Sequence, residues 1–141
     1  MFLTQRNQYA LRAMVELAKR AGSGPVKVSE IAAAQAIPLR FLEVILGQLK
    51  GSGLVAAKRG YHGGYVLLRE PNQITVGRVI RFLQGERDPK DCQNCVFKLD
   101  CPTDRECAFA SLWIRVNEAV FAIFDETTIQ DLVEDGRVVE S

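Results

Sequence analysis

The sequence predicts a mainly α-helical protein with a small β wing: a winged helix-turn-helix domain, then a cysteine-rich loop, then a long dimerisation helix. Three observations predict it. Three amphipathic segments follow one another before residue 53, two β-prone runs around a glycine-rich turn come directly after them, and a long apolar-striped segment lies near the end. A chain of 141 residues, 48% hydrophobic and 25% charged, suits one globular domain with an extension. The expected division is a winged head over 1–85, a cysteine-rich loop over 86–107, and a dimerisation helix with a C-terminal tail over 108–141.

The first segment, "TQRNQYALRAMVELAKRAG", has Thr4 as an N-cap, Leu11, Met14, Val15 and Ala18 at helical spacing, and Gly22 as its end. After "GSGP", Ser29 is the expected cap of a second helix, "SEIAAAQA", packed through Ile31. "PLRFLEVILGQLKGSG" makes a third, with Pro38 in its first turn and Gly53 as its stop. Its buried stripe is Leu42, Ile45, Leu46 and Leu49, and its opposite stripe runs through Arg40, Phe41, Val44, Gly47 and Gln48. A helix pair of this kind also occurs as plain packing. The run "LVAAKRGYHGGYVLL" decides for a wing, with Gly60, Gly63 and Gly64 expected to let its tip lie close to another surface. "RGYHGG" lacks the lysine and the following helix of a nucleotide-phosphate loop.

"ITVGRVIRFLQG" predicts a further helix with Val76, Val79, Ile80 and Phe82 inward, stopped near Gly85. Beyond the cysteines, "AFASLWIRVNEAVFAIFDETTIQDLV" predicts one long helix with Phe109, Leu112, Trp113, Val116, Val120 and Ile123 on a single side. So large an apolar face points to a homodimer, the alternative being a helix folded back on its own domain. Two heads would match a roughly palindromic double-stranded DNA operator.

The net charge of +1 hides an asymmetry. Residues 1–69 carry ten Lys/Arg against three Asp/Glu, and residues 70–141 carry eight against fourteen. Lysine and arginine gain affinity for polyanions by releasing condensed counterions, so the basic half points to nucleic acid. On its recognition helix the candidate contacts are Arg40 for a guanine edge or phosphate, Glu43 for a cytosine amine, and Phe41 and Val44 for a thymine methyl. On its wing they are Arg59, for the minor groove or a phosphate, with Tyr61 and His62.

All four cysteines fall within "CQNCVFKLDCPTDREC". "MFLTQRNQYALRAM" has no secretory character, with Arg6 and Arg12 interrupting it, and no segment approaches the roughly 20 apolar residues of a membrane span. A cytoplasmic setting with reduced thiols is therefore expected, and clustered cysteines there are metal-binding or redox-active. Zinc sites usually pair two Cys-x-x-Cys knuckles, and only Cys92 and Cys95 form one. A thiol-disulfide switch among the four is the other reading. No histidine stands near the cysteines and no carboxylate pair or phosphate loop suggests a cleft, so enzymatic activity is not expected.

The segments "MFLTQRNQYALRAM", "LRFLEVILGQLKGSGLV", "KRGYHGGY", "TVGRVIRFLQG", "LW" and "TTIQDLV" together resemble the Rrf-type family of bacterial winged-helix transcriptional regulators, which includes the IscR, NsrR and CymR regulators. The resemblance spans nearly the whole chain and implies a dimeric DNA-binding transcription factor, usually a repressor, some members of which hold an iron-sulfur cluster. It implies three cysteine ligands, commonly with five residues between neighbours, a spacing kept by Cys95, Cys101 and Cys107 with Cys92 additional; alternatively Cys92 is the family's first cysteine and Cys95 the extra one. The family's fourth ligand, a histidine or an aspartate, is replaced by Ala110 and Gln8 in this sequence. The resulting expectation is that Cys92, Cys95, Cys101 and Cys107 together hold one iron-sulfur cluster, 4Fe-4S favoured over 2Fe-2S. The function so implied is regulation in response to iron-sulfur status, redox state or nitric oxide. The alternatives are a zinc- or thiol-based winged-helix regulator, a small cluster-carrying electron-transfer protein, and a cluster-free DNA-binding adaptor for a metabolic enzyme.

Overall fold

The computed structural model describes residues 3–85 and 107–140, with side chains described as far as residue 136. Cys92, Cys95 and Cys101 lie outside the described residues.

Helix α1 (Gln5–Lys19) begins where Thr4 Oγ1 accepts the Asn7 amide at 3.1 Å, and it buries Ala10, Ala13, Met14 and Leu17. Helix α2 (Val28–Gln35) starts earlier than its serine suggests: its N-cap is Lys27, and Ser29 is an exposed residue inside the first turn. The physical reason is upstream. Val26 exchanges two backbone hydrogen bonds with Tyr65, at 2.9 and 2.8 Å, so the chain is held extended up to that residue and turns into helix immediately after it. The turn from α2 into α3 (Leu39–Leu49) passes through Ala36 in the left-handed region, at φ 53°, an unfavourable conformation for a residue with a Cβ. Buried Ile37, whose amide bonds to the Ala32 carbonyl at 2.9 Å, anchors that turn.

A single 3-10 turn (Lys50–Ser52) leads from α3 to the wing, strands β1 (Val55–Lys58) and β2 (Gly64–Leu67), paired antiparallel with Val55 opposite Leu67 and Lys58 opposite Gly64. Two wing glycines serve the chain's own backbone. A Cβ on Gly63 would stand 2.2 Å from the Lys58 carbonyl oxygen, and one on Gly64 2.3 Å from that of Val26. Only Gly60 fits the expectation of a free tip, with φ at 113° and open space around it.

Helix α4 (Val76–Gln84) buries Val76, Val79, Ile80 and Leu83. Leu83, not the expected Phe82, completes the stripe: Phe82 lies six residues after Val76, off the i, i+3, i+4, i+7 series, and its ring passes over Gly51. The C-terminal region is two helices rather than one, α5 (Ala110–Glu126) and α6 (Ile129–Glu140). A reciprocal cap breaks it, in which Thr128 Oγ1 accepts the Asp131 amide at 3.0 Å and Asp131 Oδ2 accepts the Thr128 amide at 2.9 Å. The chain then pairs back onto the segment before α4, Ile129 N to Ile74 O at 2.9 Å and Val76 N to Thr127 O at 2.8 Å. Ile129 and Val133 are thereby buried, and Ile129 joins the core built on α1, α3 and the wing root.

A polar clasp fixes α2 on α1. Arg20 Nε donates to Glu16 Oε2 at 2.9 Å, and Gln35 Nε2 donates to Glu16 Oε1 at 3.1 Å. Burial pushes the Glu16 carboxyl up, but these bonds and the positive charge of Arg20 outweigh it and hold the pKa below the ordinary value.

Candidate nucleic-acid interface

With Leu42, Ile45, Leu46 and Leu49 in the core, helical geometry sends the other side of α3 outward. Arg40, Phe41, Glu43 and Val44 are all exposed, Phe41 at 59% and Val44 at 61%, so neither apolar side chain belongs to the core. Arg40, Phe41, Val44 and Gln48 form one wall of a groove of about 600 Å³ whose other wall is the start of α1, with Gln5, Arg6 and Tyr9. The walls touch at two points: Arg6 donates to the side-chain Oε1 of Gln48, and the Tyr9 and Phe41 rings lie 6.5 Å apart. Glu43 is exposed but does not line this groove. Burial raises the pKa of the Tyr65 phenol on β2, and the charge of Glu43 raises it further.

Arg59, Tyr61 and His62 are exposed together on the loop between β1 and β2, Tyr61 at 83%. The Tyr61 and His62 rings meet edge to face at 4.9 Å, and Lys27 Nζ sits 5.1 Å from the Tyr61 ring centre. Cation-π attraction thus links the start of α2 to the wing tip. Lys27, Arg6 and Tyr9 were not among the expected contacts. Arg6, exposed, and Tyr9, half-buried against the core, are neighbours on the first helix at a spacing of three, which is the pattern that marks them; for Lys27 no local signal exists.

Cations at three places, Arg6 with Arg40, Lys27, and Lys58 with Arg59, accompany two exposed apolar side chains on a helix with a finished interior. Chemically such a surface can take an anionic partner that also presents hydrogen-bonding edges and methyl groups.

Cys107 is the cysteine among the described residues. It is free and half-buried, and its carbonyl accepts the Ala110 amide at 3.2 Å as α5 begins. Among the described residues no cluster of three or more His, Cys, Asp or Glu could hold a metal ion. Gln8 is exposed, its amide donating to the Leu3 carbonyl at 3.1 Å. From Cys107 the chain runs along α5 to Asp125, which pairs with Arg81 of α4 at 2.8 Å, while the Arg81 guanidinium lies 4.6 Å from the Phe121 ring centre. The Arg81 hydrogen bond holds the Asp125 carboxyl below its ordinary value. Gly77 makes room for this pair, since a Cβ there would collide with the Asp125 carboxylate. No helix among the described residues is long and apolar enough to cross a membrane.

A family model described as "Rrf2: Iron-dependent Transcriptional regulator" matches residues 3–135. The chain is 38% identical over 139 residues to the HTH-type transcriptional regulator CymR of Bacillus subtilis (strain 168), spanning 97% of this chain and 94% of that protein. Its structure is similar to that of T. potens IscR, with a TM-score of 0.77 and 30% identity over 98% of this chain and 90% of that one. The oxidized form of Staphylococcus aureus CymR is also similar, with a TM-score of 0.71 and 31% identity over 95% of this chain and 97% of that one.

Proposed function

Because the chain belongs to the Rrf2 family of transcriptional regulators, we propose that it is a homodimeric repressor that binds a roughly palindromic DNA operator through two winged heads and adjusts that binding through an iron-sulfur cluster on its cysteines. The observation that carries the DNA-binding part is the outward side of α3: Arg40, Phe41 and Val44 stay exposed although the helix has a complete buried stripe of its own. Arg40 and Glu43 supply directional contacts to base edges, Phe41 and Val44 meet thymine methyls, and Arg59, Tyr61 and His62 follow the backbone or the minor groove. Mobility shift of genomic fragments at low salt tests this. Retarded fragments support the reading, and indifference of both metal-loaded and metal-free protein to every fragment removes it.

The cluster part rests on the donor set. Cys107 is free and half-buried at the foot of α5, and Cys92, Cys95 and Cys101 stand within the preceding fifteen residues. Four soft thiolates suit iron-sulfur chemistry, with 4Fe-4S favoured, and the matching family is described as iron-dependent. These four residues would hold the group, which when bound supplies sensitivity to iron supply, oxidants or nitric oxide. A change at Cys107 would reach the head through α5, whose far end is tied to α4 by the Asp125–Arg81 pair. Anaerobic purification followed by visible absorption and iron, sulfide and zinc analysis tests the assignment; colourless protein with stoichiometric zinc overturns it.

A second reading is favoured by the likeness to an oxidized CymR structure: a disulfide switch among the same cysteines, with no cluster. It requires iron-free protein whose operator affinity changes on oxidation and recovers with a thiol reductant.

A further inference from the structure

Resting on the DNA-binding reading, we infer that Gln48, held by Arg6, meets the operator as a hydrogen-bond donor and selects a guanine edge in place of the adenine that a free glutamine prefers. Gln48 lies eight residues after Arg40 and four after Val44, on the same outward side of α3, and it lines the groove that those two residues share with α1. Arg6 donates its guanidinium to Gln48 Oε1. Arginine has five donors and no acceptor, so the orientation of the Gln48 amide follows from chemistry: its oxygen must face Arg6, and its NH2 is the group left for a partner.

A free glutamine reads adenine with both ends, accepting from N6 and donating to N7. Arg6 spoils the first half of that pair. The remaining lone pair of Oε1 lies beside a cation with further N–H groups, so an approaching adenine amine meets donor against donor. Guanine offers O6 and N7, both acceptors, to the same two groups. Gly47 adds an independent sign of close approach. Among the described residues nothing lies within 4 Å of where its Cβ would be, so their packing has no need of a glycine there, and glycine weakens an exposed helix. On the outward side next to Gln48, the bare backbone gives clearance to a groove edge.

In vitro selection from a library of randomised DNA duplexes, using the full chain as wild type, Gln48→Ala, Arg6→Met and Gly47→Ala, tests this. The wild type should enrich guanine at one symmetry-related pair of positions, preferred roughly tenfold or more over adenine. Gln48→Ala should flatten those positions alone, and Arg6→Met should turn them towards adenine. Gly47→Ala should raise the melting temperature while lowering affinity for the selected duplex. The inference is overturned if Gln48→Ala leaves the selected sequence unchanged, or if Arg6→Met weakens binding with no change of base preference. A wild type that enriches no sequence defeats the DNA-binding reading itself, a result distinct from either.

Discussion

Helices α3 and α5 both carry exposed aromatic and aliphatic side chains, but for opposite reasons. Helix α3 has a finished interior, and what it exposes is a mixed stripe in which Phe41 and Val44 alternate with Arg40 and Gln48. Helix α5 spans seventeen residues with none of them buried, and Phe109, Leu112, Trp113 and Ile123 are exposed by 40% or more, with the Phe109 and Trp113 rings stacked 5.8 Å apart. A helix held by its own domain can leave a polar, interrupted side for a partner that comes and goes. Helix α5, packed among the described residues chiefly against α4, has a continuous apolar side of the kind a lasting partner covers, and the proposed second copy of the chain would meet that need.

The sharpest way to break the comparison is to damage the interior that only α3 has. Leu46→Ala should lower the unfolding free energy by about 2–5 kcal/mol, measured by urea denaturation, because it opens a cavity among fully buried neighbours. Next in size, Trp113→Ala should barely alter the fold of one subunit yet weaken self-association by about 2 kcal/mol, roughly thirtyfold, in sedimentation equilibrium. Wild-type protein that sediments as a monomer at every concentration would end the contrast.

A smaller effect separates the two surfaces by charge. Arg59→Ala should weaken DNA binding and reduce the slope of log affinity against log salt by about 1 per head, whereas Arg115→Ala, exposed on α5, should leave both unchanged. An equal loss from both substitutions would deny the wing any special role.

The smallest concerns two carboxylates. Glu16 is nearly buried and Asp125 is exposed, yet both are held below their ordinary pKa. A depressed folded pKa means that the contribution is complete above the ordinary carboxylate value and is lost as pH falls through the lowered one. Glu16→Gln should therefore cost about 1 kcal/mol at neutral pH and flatten the acid limb of the stability curve. Asp125→Asn should do less, because water screens an exposed pair. A greater loss from Asp125→Asn would reverse that ranking.

Much of the head is visible in the sequence because its signals are local. The stripe of Leu42, Ile45, Leu46 and Leu49, the Thr4 cap and the strand-turn-strand of the wing each depend on neighbours within one or two turns. The break between α5 and α6 is also legible, since "FDETTIQDL" sets four polar residues between Phe124 and Ile129, and Thr128 and Asp131 have the spacing of a capping box. In α4 the helical period places Leu83, not the expected Phe82, inward. Ser29 has the composition of a cap and the wrong place for one, because the pairing that sets the start of α2 comes from Tyr65, nearly forty residues away. The role of the groups beside the recognition stripe, exposed Arg6 and Lys27 and half-buried Tyr9, depends on how α1 and the wing pack against α3 and α2.

By itself the sequence determined which segments become helix and wing, how charge divides between the halves of the chain, and that four thiols stand close along it. Periodicity, capping and turn chemistry act over a few residues, and so they are written in the order of the letters. Tertiary structure alone decided that Ile129 returns to the core beneath α1, that α5 has no buried residue, and that Arg6 donates to the side-chain Oε1 of Gln48. Those outcomes join residues far apart in the chain, and they follow from which surfaces exclude water together.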